Sequence, residues 1–182
     1  MIETFFLPKD QWGEYGEWLA SLDPETLRSY FGISVTAESI SLLIAKMKAN
    51  SSQHFLLVAS KTGHWAGVIH IATAGATVEF GVIVGEPYRQ QGIAGVMMDE
   101  ALVWSRNRQY TKLFMHCITW NHPIRRLCEK FGLHAKNILG DSEVQMQLEP
   151  PDGYSLFKEW QIWQKNCLFF DFFRLYRTRL VM

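Results

Sequence analysis

A short segment of the chain, residues 88–95, combines residue types that can hold an anion. It reads Tyr-Arg-Gln-Gln-Gly-Ile-Ala-Gly, and it follows the apolar run Val82-Ile83-Val84 and the turn residues Gly85 and Pro87. A helical pattern begins directly after it. Glycine in a turn between strand and helix brings backbone N–H groups and the positive end of the helix dipole towards one point, where a phosphate can bind. We therefore predict an anion site at this turn.

Two widespread phosphate-binding motifs do not match the segment. A P-loop requires Gly-Lys followed by Ser or Thr, and the chain contains no Gly-Lys pair. A dinucleotide fingerprint requires G-x-G-x-x-G, whereas Gly92 and Gly95 here stand on either side of Ile93 and Ala94. The sequence thus argues against a nucleoside triphosphate loop or a nicotinamide dinucleotide site.

The elements that would position this turn belong to a mixed α/β domain. Apolar residues at helical spacing predict helices over 10–22, 23–31, 37–49, 93–107 and 121–132. The second of these begins with Asp23 as N-cap and Pro24 at the first helical position. Runs rich in β-branched and apolar residues predict strands over 54–59, 65–72, 78–84, 112–119 and 143–148. This order predicts one sheet covered by helices.

Composition narrows the class of protein. The chain has 182 residues, 48% of them hydrophobic, which suits one domain with a substantial core. Its 18 basic and 18 acidic residues give no net charge, so nothing favours a nucleic-acid partner. Three scattered cysteines do not form a disulfide framework. The N-terminus has no signal-peptide pattern, and no apolar run is long enough to span a membrane. We therefore expect a cytoplasmic protein with no membrane partner.

Two segments carry a resemblance to a known family. Arg89-Gln90-Gln91-Gly92-Ile93-Ala94 fits the pattern [Arg/Gln]-x-x-Gly-x-[Gly/Ala] after a strand and a Pro-containing turn. Downstream, residues 121–133 resemble the pattern N-x-x-A-x-x-L-Y-x-K-x-G-F, with matches at Asn121, Leu127, Lys130 and Gly132. In this order and spacing they resemble the GNAT superfamily of acetyl-CoA-dependent N-acetyltransferases. The order of elements is similar over about 3–148, but only these two segments are specific.

The resemblance implies a fold and a cofactor site. The implied fold is of the α/β class (α+β type), with a single mixed, mostly antiparallel central sheet covered by helices on both faces. The implied cosubstrate is acetyl-CoA, with its pantetheine arm along one strand and its diphosphate at the glycine turn. An asparagine at the head of the later helix often contacts the cofactor in the family, although an N-cap would look the same in sequence. The residues that match these positions are Val82, Ile83, Val84, Arg89, Gln90, Gln91, Gly92, Ile93, Ala94, Gly95 and Asn121.

The implied chemistry is direct transfer of acetyl from the thioester to an amine, which requires a base because an ordinary amine arrives protonated. Two residues compete for that role. Glu79 lies in an apolar strand, alternating with Gly81 and Ile83, at a point that resembles the base position of several branches of the family. Its alternative is an exposed strand end. His116 lies five residues before Asn121, and an imidazole can accept a proton at neutral pH. Its alternative is a structural histidine.

The sequence departs from the family at the general acid. Many members have a tyrosine where this chain has Cys128, which could donate a proton or simply pack in the core with Leu127 and Phe131. Tyr88, Tyr110 and Tyr154 are substitutes to consider. A metal site can also be considered, but no compact ligand spacing occurs, and we expect no metal. The residues weighed for it are His116, Cys117, His122, Cys128 and His134.

The ends of the chain bear on the acceptor and on assembly. Acidic residues alternate with the aromatic Trp12, Tyr15 and Trp18 between positions 10 and 25. This pattern is typical of a surface that binds a cationic amine, or of a solvated helix with its aromatic side chains turned inward. We expect an acetyltransferase domain at 1–149. Residues 150–182 would form an aromatic-rich helical extension that packs on the domain or in a homodimer.

Two functions follow from the resemblance. The first is an enzyme that acetylates a primary amine of a small molecule, peptide or protein. The second is a GNAT-fold module that binds acyl-CoA without turnover, as a sensor or interaction partner. The missing tyrosine is the chief support for the second.

Overall fold

The computed structural model describes residues 2–118, 121–138 and 141–164. The strands are β1 (Ile2–Phe6), β2 (His54–Lys61), β3 (His64–Ala74), β4 (Thr77–Val84), β5 (Lys112–Ile118), β6 (His134–Ile138) and β7 (Asp141–Gln147). The helices are α1 (Trp12–Ser21), α2 (Pro24–Phe31), α3 (Ala37–Ala49), α4 (Ile93–Asn107), α5 (His122–Lys130) and α6 (153–164).

Helix boundaries follow from local capping chemistry. Asp23 caps α2 by accepting from the Thr26 N–H at 2.8 Å, Pro24 occupies the first turn, and Gly32 ends the helix in the left-handed conformation. Asn121 caps α5 in the same way, through a bond from the Ile124 N–H at 3.4 Å. The predicted starts of both helices are confirmed.

The strands form one seven-stranded sheet in the order β1-β2-β3-β4-β5-β7-β6. Every neighbouring pair is antiparallel except β4 and β5, which run parallel. This parallel pairing extends only from Thr77–Lys112 to Glu79–Phe114. Beyond Glu79, β4 keeps its pairing with β3, and in the described part of the chain no strand pairs with its other edge. The sheet therefore opens between β4 and β5, next to the predicted anion turn.

Helices cover both faces of the sheet, and β4 shows how its residues are divided between them. Val78, Phe80 and Val82 pack in the core beneath α4 and α5, whereas Ile83 packs in the core with α1 and α3. Glu79 and Gly81 therefore face the N-terminal helices, as the alternation predicts. A mixed sheet with helices on both faces confirms the expected fold class.

Two strands are not predicted by the sequence pattern, and both lie at the edges of the sheet. β1 and β6 each pair with one neighbour, so they need less apolar sequence than a central strand. β6 reads His-Ala-Lys-Asn-Ile, which has no strand-like run of apolar residues. The strand predicted at 112–119 is observed as Lys112–Ile118, with position 119 outside the described residues.

Helix α6 lies against the C-terminal half of α4. Its side of the contact includes Ser155, which is fully buried and accepts and donates hydrogen bonds at the helix start. Three ion pairs join the helices and their flanks: Arg106–Asp152 at 2.9 Å, Arg108–Glu159 at 2.6 Å, and Asp99–Lys158. Bonds from the Ser155 N–H and from Arg106 hold the pKa of Asp152 below its ordinary value.

The other side of α6 carries large apolar residues in contact with solvent: Tyr154, Leu156, Phe157, Trp160 and Trp163. The rest of the predicted extension, 165–182, lies outside the described residues. Among the helices that are described, none combines the length and apolarity needed to cross a bilayer.

Candidate active site

A cleft of about 790 Å³ opens where β4 and β5 separate. β4 and the turn after it form one wall, and α2 and α5 form the other. The residues matched to the cofactor in the sequence, with the exception of Gln91, all line this cleft: Val82, Ile83, Val84, Arg89, Gln90, Gly92, Ile93, Ala94, Gly95 and Asn121. The fold therefore brings together two segments that lie about thirty residues apart in the sequence.

The turn at the start of α4 exposes backbone donors to the cleft. Gly92 has φ +78° and caps the helix without a side-chain acceptor, and Gln90 also has a positive φ, of 59°. The first intrahelical bond runs from the Val96 N–H to the Gly92 carbonyl. The N–H groups of 93–95 precede that bond, so they have no acceptor within the helix and face an anion site with the helix dipole behind them.

Two side chains of the turn hold it in place. Arg89 donates to the Thr26 hydroxyl of α2, and that hydroxyl donates to Asp23. The Thr26 hydroxyl bond, with the charge of Arg89 adding to it, holds the pKa of Asp23 below its ordinary value. Gln91 points away from the cleft, donating to the Pro87 carbonyl at 2.8 Å and accepting from Lys61. Its side chain therefore fixes the turn from outside.

Positive charge lies across the cleft from the turn. Lys130 of α5 lines the cleft, and its Nζ is 3.7 Å from the point where a Cβ on Gly95 would lie. Arg126 lines the same wall one helical turn earlier. Two cations facing a set of free backbone N–H groups make this end of the cleft suited to a ligand with several negative charges.

A second cavity of about 330 Å³ adjoins the cleft. The two spaces share a wall of five residues: Ser29, Tyr30, Val82, Asn121 and Ile124. The remaining lining residues of the smaller cavity are Phe31, Leu43, His70, Ala72, Glu79, Phe80, Gly81, Met115 and His116. The cavity thus has mostly apolar walls with a few polar groups that converge on it.

The two candidate bases meet in this cavity. Glu79 lies opposite Phe114 in the parallel pairing, and His116 is two residues further along β5, on the same face. His116 Nε2 is 3.5 Å from Glu79 Oε1, and both side chains are more than half exposed, at 61% and 52%. The sequence leaves them as alternatives, whereas the fold places them side by side.

His70 lines the smaller cavity and contacts a second histidine, His54. His70 of β3 has its Nε2 3.1 Å from Nδ1 of His54 on β2. Burial, with the charge of His54 adding to it, lowers the pKa of His70 to about 4, so His70 is neutral near pH 7. Sequence reasoning missed this pair. The register of β2 and β3 shifts between Ala59 and Ser60. Counting residues back from the turn that joins the two strands therefore does not align His54 with His70.

Tyr30 is a further residue that sequence reasoning missed. It lies on α2, lines both spaces, and its hydroxyl lies against β4 at Gly81. The substitutes considered from the sequence lie elsewhere. Tyr88 lines only the larger cleft, Tyr110 stacks on Trp104, and Tyr154 is 69% exposed on α6.

Asn121 is the N-cap of α5, as predicted, and it lies in the cleft where the second predicted role, contact with the cofactor, would require it. Its Oδ1 caps α5, and its Nδ2 donates to the Ser29 carbonyl of α2 at 3.0 Å. It lies at the junction of the two spaces, so contact with a bound cofactor stays a prediction. The N-cap and the bridge between α2 and α5 follow directly from its geometry.

Cys128 lies in the core beneath the sheet. It is 2% exposed, and its sulfur is 3.9 Å from the sulfur of Met115. It does not line either space. This placement agrees with the alternative that Cys128 is a packing residue.

The N-terminal aromatics are turned inward. Trp12 and Tyr15 are each 1% exposed, and Trp18 stacks on Tyr15 while its indole N–H donates to the Trp65 carbonyl. This placement favours a solvated helix over an aromatic acceptor surface. In the part of the chain that the structure describes, no three His, Cys, Asp or Glu residues are grouped as metal ligands would be.

Comparison with known proteins agrees with this geometry. Residues 14–133 match the family described as "Acetyltransferase (GNAT) family". No curated protein matches the chain significantly.

Solved structures share the fold at low identity. A GNAT-family acetyltransferase from Streptococcus pneumoniae has a TM-score of 0.63 at 16% identity, covering 82% of this chain and 100% of its own. Spermidine N-acetyltransferase from Vibrio cholerae, in complex with CoA and spermine, has a TM-score of 0.64 at 14% identity, covering 81% and 95%. The ribosomal-protein-S18-alanine N-acetyltransferase of Escherichia coli has a TM-score of 0.63 at 10% identity, covering 84% and 97%.

Proposed function

The chain belongs to the GNAT family of acetyltransferases, and from that premise we propose that it transfers an acetyl group from acetyl-CoA to a primary amine of a small molecule or protein. The observation that carries the proposal is that the two spaces adjoin along a shared wall. One has backbone donors and cations for a polyanionic ligand, and the other has a carboxylate and an imidazole where an amine would react.

Acetyl-CoA fits the larger cleft as a substrate. The diphosphate would accept from the N–H groups of 93–95, with Lys130 and Arg126 on the opposite wall adding charge. The pantetheine amides would pair with the edge of β4 at 82–84, which no described strand covers. Because only backbone groups are needed there, this part of the site tolerates the apolar sequence Val82-Ile83-Val84.

The smaller cavity would hold the acceptor amine. Among its described lining residues Glu79 is the one carboxylate, and neither lysine nor arginine occurs, so a cationic amine is favoured over an anionic acceptor. Glu79 and His116 would take the amine proton, directly or through water, before or as nitrogen attacks the thioester carbonyl. The nitrogen–carbon bond then forms and the carbon–sulfur bond breaks, giving the amide and the CoA thiolate.

The structural relatives do not select the acceptor class. One is named for spermidine and another for an alanine of a ribosomal protein. Both names describe transfer to nitrogen, and the proposal for this chain goes no further than a primary amine.

A thiol-release assay with acetyl-CoA tests the proposal. The full chain is incubated with amines, amino acids, polyamines and peptides, and acetylated product is identified by mass. Glu79→Gln is the test variant, and Glu17→Gln on the exposed side of α1 is its matched control. Release that depends on an amine and on Glu79 supports catalysis. Tight acetyl-CoA binding without release for any acceptor would instead support the non-catalytic acyl-CoA module.

A further inference from the structure

Tyr30 stands at the point where the two spaces meet. It lines both, so it adjoins the path proposed for the thioester as well as the space proposed for the acceptor. Glu79 interacts electrostatically with its hydroxyl. The other candidate acids each lie outside this junction, Cys128 in the core and Tyr88 further along the cleft.

β4 has a glycine where Tyr30 approaches it. A Cβ added at Gly81 would lie 2.5 Å from the Tyr30 hydroxyl and 3.2 Å from its ring carbons. Glycine inside a strand is unfavourable by itself, and it commonly marks a close approach of another group to the backbone. Gly81 therefore lets a phenol hydroxyl from α2 reach the backbone of the strand on which the acyl group is expected to lie.

A second tyrosine acts on Tyr30. Tyr15 of α1 is 1% exposed, and its hydroxyl lowers the pKa of Tyr30 against the larger opposing effect of burial. Tyr15 therefore favours Tyr30 as a hydrogen-bond donor to a group in the cavity.

We propose that the Tyr30 hydroxyl donates a hydrogen bond to the thioester carbonyl oxygen of bound acetyl-CoA and stabilises the oxyanion that forms when the amine attacks. This inference rests on the proposed function. As nitrogen bonds to the carbonyl carbon, the π electrons move to oxygen, where Tyr30 and a backbone N–H of β4 share the charge. The carbonyl then re-forms, the electron pair of the carbon–sulfur bond leaves with sulfur, and the proton lost by the amine neutralises the thiolate through solvent.

The pKa of Tyr30 determines whether its hydroxyl acts as a hydrogen-bond donor or transfers its proton. Burial, with a smaller contribution from Glu79, raises the pKa of Tyr30 to about 12. An ordinary thiol has a pKa of about 8.5, so moving the phenol proton to a thiolate is unfavourable by roughly three powers of ten. A hydrogen bond to an oxyanion requires no such transfer, and the phenol stays protonated at working pH.

Isotope-edited infrared spectroscopy of [1-¹³C]acetyl-CoA bound to the full chain tests the inference without an acceptor. A donated hydrogen bond weakens the carbonyl bond, so the carbonyl band of the wild-type complex should lie at lower wavenumber than that of Tyr30→Phe. Tyr154→Phe, on the exposed face of α6, should match wild type. Gly81→Ala, which displaces the hydroxyl while keeping the phenol, should match Tyr30→Phe.

The outcomes separate the inference from the proposed function. Equal band positions in wild type and Tyr30→Phe overturn the role of Tyr30 and leave acetyl transfer standing. Failure of wild type to bind acetyl-CoA overturns both. Where an acceptor has been found, Tyr30→Phe should lower kcat by about 100-fold with KM little changed, because oxyanion donors act mainly in the transition state. An unchanged kcat would also overturn the inference.

Discussion

The adjacency of Glu79 and His116 predicts that their loss affects catalysis far more than folding. The pair is 3.5 Å apart with both side chains more than half exposed, and exposed pairs of this kind contribute less than about 1 kcal/mol to stability. A positioned base contributes about 10²–10⁴-fold in rate, equivalent to about 3–5 kcal/mol of transition-state stabilisation. Glu79→Gln should therefore lower kcat at least 100-fold while the urea midpoint hardly changes.

A double-mutant cycle distinguishes a joint role from two separate ones. If Glu79 and His116 handle one proton together, then Glu79→Gln/His116→Gln should be hardly slower than the worse single variant. Independent contributions would multiply. The assay is initial-rate thiol release with saturating acetyl-CoA, with Glu17→Gln as the matched surface control. Full activity in both single variants would refute the proposed base, even if acetyl transfer itself is observed.

Four further predictions concern the frame of the site. Gly92→Ala should cost about 1–2 kcal/mol in urea unfolding, because φ is +78° while no atom lies within 4 Å of the added Cβ; an unchanged midpoint would contradict this strain. Cys128→Ala should cost about 1–2 kcal/mol and leave thiol release within about two-fold, since the sulfur is buried away from both spaces; loss of release with normal folding would restore Cys128 as the acid. Acid should destabilise the fold between pH 6.5 and 4 by up to about 3 kcal/mol, because the pKa of His70 is lowered from 6.5 to about 4 and the unfolded state takes up the proton first; His70→Gln should flatten this slope in pH-dependent urea titrations, and an equal slope would refute the assignment. Removing 150–182 should lower the melting temperature, since it cuts the ion pairs to Asp99, Arg106 and Arg108, and it should cause association, since it uncovers the surface that buries Ser155; a truncated chain that stays monodisperse and equally stable by light scattering and calorimetry would contradict the packing.

The parts of the fold that the sequence predicts are those with local signals. The start of α2 follows from Asp23 and Pro24, and the anion turn follows from Gly92 between a strand and a helix. These features depend on residues within a few positions of one another. The edge strands β1 and β6 are not predicted from the sequence. Each pairs on one side only and is partly exposed, so it needs fewer apolar residues than a central strand.

The parts of the site that the sequence leaves open depend on long-range geometry. Glu79 and His116 meet only because β4 and β5 run parallel over a few residues and then separate. Tyr30 reaches the site from α2, about fifty residues before β4 in the chain. The one sign of this contact in the sequence of β4 is Gly81, which leaves room for the Tyr30 hydroxyl. A pattern read along the chain cannot supply such contacts.

The most direct test of the central claim is a crystal structure of the full chain with acetyl-CoA. We expect the diphosphate on the N–H groups of 93–95, the pantetheine arm along 82–84, and the thioester carbonyl beside Tyr30 with Glu79 and His116 across the smaller cavity. Acetyl-CoA bound away from the turn at Gly92, or with its thioester directed away from the smaller cavity, would contradict it.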